Sequence, residues 1–305
     1  AGSLDQFSNQ GLPRIAMTSP LTLDASAEGI EAGSTRIEID RTALDLKRLS
    51  YHQGRLASAG QVRALDVGRV LELVQQFTGT PPPVKTDLML DSEWDFNLAE
   101  TASGYLQIAR KSGDVRVTTS VGEAAMGLSE LQLRSQFQGE RMNVTGRVNA
   151  ARIGTLDLGG DIGLRRVDTL LALAPESPLN LKASLDVPEL KRVGDLIGPQ
   201  VSLNGKLAAS LNAGGTLAQP RLSGAINGDN LAVTEFDQGI QLKDGIVRIV
   251  MDSNVIELRQ IEFHGGRGTL RAGGKIQLGA DNPDLNATLT ADHLELFASP
   301  DRQLM

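Results

Sequence analysis

The sequence predicts a mainly β protein: an elongated sheet built of repeats, with two short helices. Three observations predict this fold. An eleven-residue pattern occurs twice, apolar and polar residues alternate along most of the chain, and turn signals recur at strand-length intervals. Alternation with a period of two is the signature of strands that bury one face and hydrate the other.

The repeated pattern lies at residues 154–164 and 268–278, and both copies read G-T-L-x-x-G-G-x-I-x-L. The variable positions exchange Asp for Arg or Lys, while the apolar positions stay apolar. We expect each copy to form two short strands joined at a Gly-Gly turn. A repeated strand unit extends a sheet and does not enclose a pocket, so function is sought along a surface.

Residues 203–213 show the alternation most clearly. Leu203, Leu207 and Leu211 fall on one side of such a strand, and Lys206 falls on the other. Further turn signals stand at Asn227-Gly228-Asp229, Lys243-Asp244-Gly245 and Gly265-Gly266. The chain is therefore predicted to be a succession of two-faced strands.

Two segments have helical spacing instead. Apolar residues from Val67 to Phe77 form one stripe, which ends at Gly79 and the triple proline 81–83, and residues 189–197 form another. Each helix closes a repeat, which gives three segments: 1–83, a β-rich repeat ending in a helix at about 67–78 and a Pro-rich turn; 84–198, a second repeat ending in a helix at about 189–197; and 199–305, a third, truncated repeat.

Composition excludes several classes of protein. The 305 residues carry 30 Lys and Arg against 37 Asp and Glu, a net charge of −7, so we expect no nucleic-acid partner. Cys is absent, which removes disulfides and thiolate chemistry. No apolar run is long enough to cross a bilayer. The chain begins with Ala1 and stops within a repeat, and we expect it to be a fragment.

The sequence offers no catalytic constellation. His52, His264 and His293 lack the spacing of metal ligands. The glycines at 266–271 lack the third glycine of a dinucleotide fingerprint. We therefore expect no enzyme, no catalytic residue, no metal and no cofactor.

The apolar face allows two interpretations that the pattern leaves equally open. It fills a closed sandwich or barrel, or it lines a trough along a sheet that does not close. Aromatic residues are only 3% of the chain, so the face is mainly aliphatic. An aliphatic lining suits a slot that must stay open for acyl chains.

The segment 203–224 resembles a signature of the TamB family. Its core reads Gly-Thr-Leu-x-x-Pro-x-Leu-x-Gly at residues 215–224. Related patterns follow in the expected order at 239–245, 268–274 and 291–302. The resemblance is firm over about residues 179–305 and weaker before that.

This resemblance implies a member of the AsmA-like superfamily of bridge-like lipid transfer proteins. Such proteins cross the periplasm of Gram-negative bacteria as a taco-shaped groove. An N-terminal helix anchors them in the inner membrane, and their far end meets TamA, an outer-membrane barrel; both regions would lie outside this fragment. The family is implicated in carrying phospholipid to the outer membrane and in the assembly of outer-membrane proteins.

On this interpretation, the groove shields phospholipid acyl chains, because each CH₂ exposed to water costs about 0.8 kcal/mol. The residues expected to line it share the apolar positions of the third repeat: Leu203, Leu207, Leu211, Leu222, Ile226, Leu270, Ile276, Leu278, Leu285 and Leu289. Two alternatives stay open. One is a scaffold that assists autotransporters and outer-membrane barrels, with TamA, by β-augmentation. The other is a structural spacer with a packed interior.

Overall fold

The computed structural model describes residues 1–11, 13–80, 84–119, 122–278 and 284–294. Strands make up 71% of the described residues and helices 7%, which confirms the mainly β class. The first strands are β1 Gly2–Leu4, β2 Ser8–Asn9, β3 Ile15–Met17, β4 Leu21–Ala25, β5 Gly29–Ala32, β6 Thr35–Ile39, β7 Thr42–His52, β8 Arg55–Asp66, β9 Lys85–Thr86, β10 Met89–Leu98, β11 Ala102–Ser112, β12 Val115–Thr119 and β13 Gly122–Ala125.

The chain continues with the strands β14 Leu128–Gly139, β15 Arg141–Ala150, β16 Gly154–Gly163, β17 Arg165–Val167, β18 Leu170–Ala172, β19 Leu179–Val187, β20 Val201–Gly215, β21 Pro220–Glu235, β22 Ile240–Asp252, β23 Val255–Gly265, β24 Gly268–Gln277 and β25 Asp284–Asp292. Two helices, α1 Val67–Thr78 and α2 Leu190–Ile197, interrupt them where the sequence predicted helices.

One antiparallel sheet of 20 strands dominates the fold, and it does not close on itself. From β7 onward, the order is β7, β8, β10, β11, β14, β15, β16, β19 and then β20 to β25. At its start, β7 pairs with β6 along one half and with β5 along the other. Strand neighbours in the sheet are thus neighbours in the chain.

The molecule exposes far more surface than a compact protein. Its accessible area is 18411 Å², whereas a compact monomer of 32.4 kDa would expose about 12,000 Å². Among the residues that the structure describes, two small clusters of buried side chains form a core, one around Leu88 and Leu128 and the other around Ala102 and Leu171. A second sheet covering the first would leave much less area exposed.

The two core clusters lie at opposite ends of the strands. At the end that carries the β10–β11 turn, called the upper end here, the hairpin β17–β18 places Leu171 against Ala102 and Phe137. At the lower end, the small sheet of β9, β12 and β13 places Val115 near Leu128 and Leu131. These elements are called the upper wall and the lower wall.

The helices follow local sequence rules. Asp66 caps α1 by accepting the amide N–H of Arg69 at 3.0 Å, and Gly79 ends it in the left-handed conformation with a φ of 71°. The triple proline that was predicted to stop the helix lies outside the described residues. The division into three repeats stays a prediction, and strand pairing continues across both expected boundaries, from β8 to β10 and from β19 to β20.

The prediction of a Gly-Gly turn in each copy of the repeated pattern is wrong. Each copy forms one unbroken strand, β16 or β24. Gly160 and Gly274 have φ values of 146° and 153°, and a Cβ at either would collide with a backbone oxygen, of Asn180 or Asn286 respectively. These glycines allow close approach of the next strand, and in both cases the oxygen that they approach belongs to an asparagine.

Two predicted turns are also strand. Residues 227–229 lie inside β21 and residues 243–245 inside β22, where the pairing register shifts. Asp244 has a φ of 52° at one of these irregularities. Gly and Asp here serve β-bulges, which bend a strand without ending it.

Candidate functional site

Directly opposed residues of antiparallel strands point to the same face, so the register traces rows of side chains across the sheet. One such row, called the floor row, crosses sixteen strands from β3 to β25. Its members are Met17, Ile37, Leu44, Val62, Ser92, Ile108, Leu133, Gly146, Leu158, Ala183, Leu211, Gly224, Met251, Ile256, Ile276 and Leu285. Ser92 alone among them has a polar side chain.

A second apolar row runs beside the floor row over ten strands, from β14 to β25. It consists of Leu131, Val148, Leu156, Leu185, Ala209, Ile226, Ile249, Leu258, Gly274 and Ala287. The two rows and the side chains that flank them on the same side of the sheet are called the apolar face. With strands about 4.8 Å apart, the floor row is about 70 Å long.

The opposite face is polar along the same path. Its row reads Arg36, Asp45, Gln61, Glu93, Gln107, Arg134, Thr145, Gly159, Lys182, Asn212, Ser223 and Asp252. Cross-strand ion pairs occur along this side, such as Lys275–Glu257 at 3.6 Å. Exposed pairs of this kind add little stability, but they keep this face in water.

Hydrogen bonding adjusts the carboxylates of the polar face. The guanidinium of Arg271 donates to Glu262 at 3.2 Å and lowers the pKa of that carboxyl. A hydrogen bond from Arg259 lowers the pKa of Glu257 in the same way. Neighbouring arginines thus favour the charged form of these two carboxyl groups.

The apolar face is open. None of the sixteen floor-row residues is buried, and Leu211 and Leu285 are 38% and 64% exposed. A cavity of about 210 Å³ lies on this face, where Gly224 leaves space between Leu211, Ile226 and Met251. A closed sandwich would bury these side chains, so the structure agrees with the trough and not with the packed interior.

The two walls bound the apolar face in its middle section. The upper wall packs on Leu98, Phe137 and Met142, and the lower wall packs on Leu131 and Val148. Next to the middle section, α2 packs on the lower end of β20. The face is therefore a channel between walls in the middle and a broad open surface towards β25.

Aromatic side chains lie on the apolar face of the middle section. Trp94 donates its indole N–H to Ser58 Oγ at 2.9 Å, and Phe96 packs against Phe137 with ring centroids 5.7 Å apart. Trp94 also lies against the backbone of its strand partner Gly60. The polar atom of the indole is thus satisfied, and the rings present carbon to the groove.

The structure brings most of the predicted lining residues together. Leu211, Ile276 and Leu285 belong to the floor row and Ile226 to the second row. Four more lie on the same face in flanking positions, namely Leu207, Leu222, Leu270 and Leu289.

One predicted lining residue needs correction. Leu203 lies under α2, where a Cβ at Gly194 would be 3.4 Å from the Cβ of Leu203, so helix packing covers it. Leu278 follows the end of β24, is 44% exposed and donates its amide N–H to Asn254 O at 2.7 Å. This bond continues the β23–β24 register by one residue, so Leu278 lies on the same side as Ile276 and its role in the lining stays a prediction.

Sequence reasoning missed the lining residues of the first two repeats. The alternation at Leu131-Gln132-Leu133-Arg134 was a usable signal, and β14 does place both leucines on the apolar face. Other strands of these repeats gave weaker alternation; in the strand containing Ile108, for example, Tyr105 and Ala109 fall on the polar side. The register of the sheet was needed to assign them.

The fold and its face define a class: an open β-sheet protein with a long, aliphatic, solvent-accessible surface. Among the described residues, no group of three or more His, Asp or Glu side chains is placed to hold a metal ion. No described helix has the length and apolar character to span a membrane. Comparison with protein-family models, curated proteins and solved structures gave no match.

Proposed function

We propose that this chain is a segment of a non-enzymatic bridge that shields phospholipid acyl chains along its apolar face. The observation that carries the proposal is the floor row, which continues across sixteen strands with one polar side chain and with no member buried. An enzyme or a sensor needs one pocket. A row of this length supports repeated, equivalent contacts with a chain-like apolar ligand.

The energetics support transport more than capture. A sixteen-carbon chain in water faces a barrier of about 12 kcal/mol, and an aliphatic surface removes much of it. The floor row, about 70 Å long, is several times the ~15 Å half-thickness of the hydrocarbon core of a bilayer. Several tails can therefore lie along it in succession, while headgroups stay in solvent at the rim.

The resemblance of residues 179–305 to the TamB family supplies the setting. We propose a location in the periplasm of a Gram-negative bacterium and transport between its inner and outer membranes. The inner-membrane anchor and the contact with a TamA-like barrel would belong to regions beyond these residues. Neither partner is needed for the apolar face itself to bind acyl chains.

The experiment is lipid analysis of the purified protein together with site-specific crosslinking. Phospholipid should co-purify and be detected by mass spectrometry. Photo-crosslinkers at Leu211 or Ile276 should capture it, whereas crosslinkers at Lys206 or Lys275, on the polar face, should not. Equal capture on both faces would refute the assignment.

A second candidate function rests on β25. All nine residues of this strand are exposed, it lies at the edge of the described sheet, and it contains no Lys, Pro or bulge to protect that edge. Such a strand can template an unfolded outer-membrane strand by β-augmentation. Crosslinks from β25 to polypeptide, lost when Thr288 is replaced by Pro, would favour this function.

A further inference from the structure

Three segments meet at the upper end of the sheet and enclose a cavity of about 410 Å³. They are the β7–β8 turn, the β10–β11 turn and the tip of the β17–β18 hairpin. Gly54 and Thr169 are in contact there, since a Cβ at Gly54 would collide with the Thr169 side chain. The hairpin tip is therefore fixed against the turn, and the cavity has a defined frame.

Two guanidinium groups line this cavity, from Arg55 and Arg166. Arg166 donates to the backbone carbonyls of Thr169 and Glu100, each at 3.3 Å, and these bonds orient it. Arg55 lies 3.9 Å from a carboxylate oxygen of Glu100, which is too far for a hydrogen bond.

Several arginines elsewhere on the sheet hydrogen-bond to carboxylates. Arg48 meets Asp95 at 2.6 Å, and Arg271 meets Glu262 at 3.2 Å. Within the described part of the chain, neither Arg55 nor Arg166 has a carboxylate at hydrogen-bond distance. The third basic side chain of the cavity, His52, is engaged with Glu31 at 2.9 Å.

We propose that this cavity binds a phosphate-type oxyanion through Arg55 and Arg166. Guanidinium groups present paired N–H donors that match phosphate oxygens, and such charge-assisted bonds are the strong ones. Glu100 supplies the one carboxylate among the residues that line the cavity, so its charge and those of the two guanidinium groups sum to +1. Arg166 has N–H groups that do not bind the carbonyls of Thr169 and Glu100, and these would donate to a tetrahedral anion.

The position of the cavity indicates two possible sources of the phosphate. Leu98 and Ala102 flank the β10–β11 turn, and both pack with Leu171 on the apolar face. A phospholipid could place its headgroup in the cavity and its tail on that face. This source rests on the proposed function, whereas free phosphate does not.

The test is calorimetric titration of the whole chain in chloride buffer with inorganic phosphate and with dihexanoyl phosphatidic acid. Arg55→Gln should weaken binding about tenfold or more, as expected for loss of a charge-assisted bond. This variant breaks no hydrogen bond of the fold. Arg166→Gln provides a second variant, and Arg267→Gln, in the exposed β23–β24 turn, should bind as wild type.

Each outcome decides between the sources. Binding of both probes, weakened in both variants, supports a general phosphate site, and binding of phosphatidic acid alone supports a headgroup site. Failure of the wild type to bind either probe, or equal binding by wild type and both variants, overturns the proposal. Quenching of Trp94 fluorescence by a brominated fatty alcohol measures binding of an alkyl chain to the apolar face separately. If this quenching fails while phosphate still binds, only the proposed function is refuted.

Discussion

Trp94 occupies the space that a side chain at its strand partner Gly60 would need. A Cβ at Gly60 would lie 2.6 Å from a carbon of the indole ring and 2.7 Å from the carbonyl oxygen of Asp45. The backbone of Gly60 is therefore part of the surface on which the indole rests. This pair fixes the largest side chain of the apolar face beside the floor row.

Gly60→Ala should displace Trp94 and destabilise the protein by about 1–3 kcal/mol, the usual effect of overpacking. Urea unfolding and near-ultraviolet circular dichroism would measure the loss of stability and the change at the indole. Gly159→Ala is a matched control, because a Cβ there meets nothing within 4 Å. Equal stability of the two variants would contradict the contact.

Trp94 is the single tryptophan of the chain, so its fluorescence reports the apolar face alone. Phosphatidylcholine with brominated acyl chains should quench it, because bromine quenches on contact, and unbrominated lipid should not. In the double variant Trp94→Phe/Tyr105→Trp, the reporter moves to the polar face, where Tyr105 pairs with Asp95 and Gln136. Quenching as strong in this variant would refute acyl binding on the apolar face.

Leu211→Arg should block lipid capture while the protein stays folded. A cation in the floor row would lose hydration wherever an acyl chain covered it, which disfavours lipid binding there. Leu211 is 38% exposed, so the new side chain can still reach water when no lipid is bound. Ile276→Asp should act in the same way. Ser210→Arg and Gln277→Asp carry the same charges on the polar face, and these variants should co-purify with wild-type amounts of lipid.

Acid should loosen the lower wall through Asp87. Its carboxylate accepts the backbone N–H of Asp114 at 2.8 Å and the Arg116 guanidinium at 3.2 Å, and these bonds, in that order, lower its pKa. Because the pKa of Asp87 is lower in the folded protein than in the unfolded chain, its ionised carboxylate stabilises the fold. This contribution is complete above the unfolded-state pKa and is lost as the pH falls through the folded-state pKa.

Stability should therefore decline between about pH 5 and pH 2 more steeply in wild type than in Asp87→Asn. Unfolding in urea at a series of pH values would measure both slopes. Parallel slopes would show that Asp87 does not couple protonation to folding.

The fold class and both helices could be predicted because they depend on local pattern. The alternation around Leu207 and Leu211 assigned the faces of β20 correctly, and the helical stripe placed α1. In these segments the order of apolar and polar residues along the chain was sufficient to assign the buried side. The side chains of a strand return to the same side every two residues, and those of a helix return every 3.6 residues.

The bulges and walls could not be predicted because they depend on partners distant in sequence. Whether Gly160 makes a turn or a close approach is decided by the backbone oxygen of Asn180. Strands as short as β9 and β18 contain too few residues to show a period. The residues of the anion cavity, such as Arg55 and Arg166, are 111 positions apart and meet only through the hairpin.

The strand order of the sheet lets its length grow by a fixed amount with each added strand. Because each strand from β10 onward in the sheet docks on the one that precedes it there, a duplicated hairpin would lengthen the protein by two strand spacings, about 10 Å, and would leave the other registers intact. Gain or loss of hairpins would thus change the length of the apolar face in steps of about 10 Å.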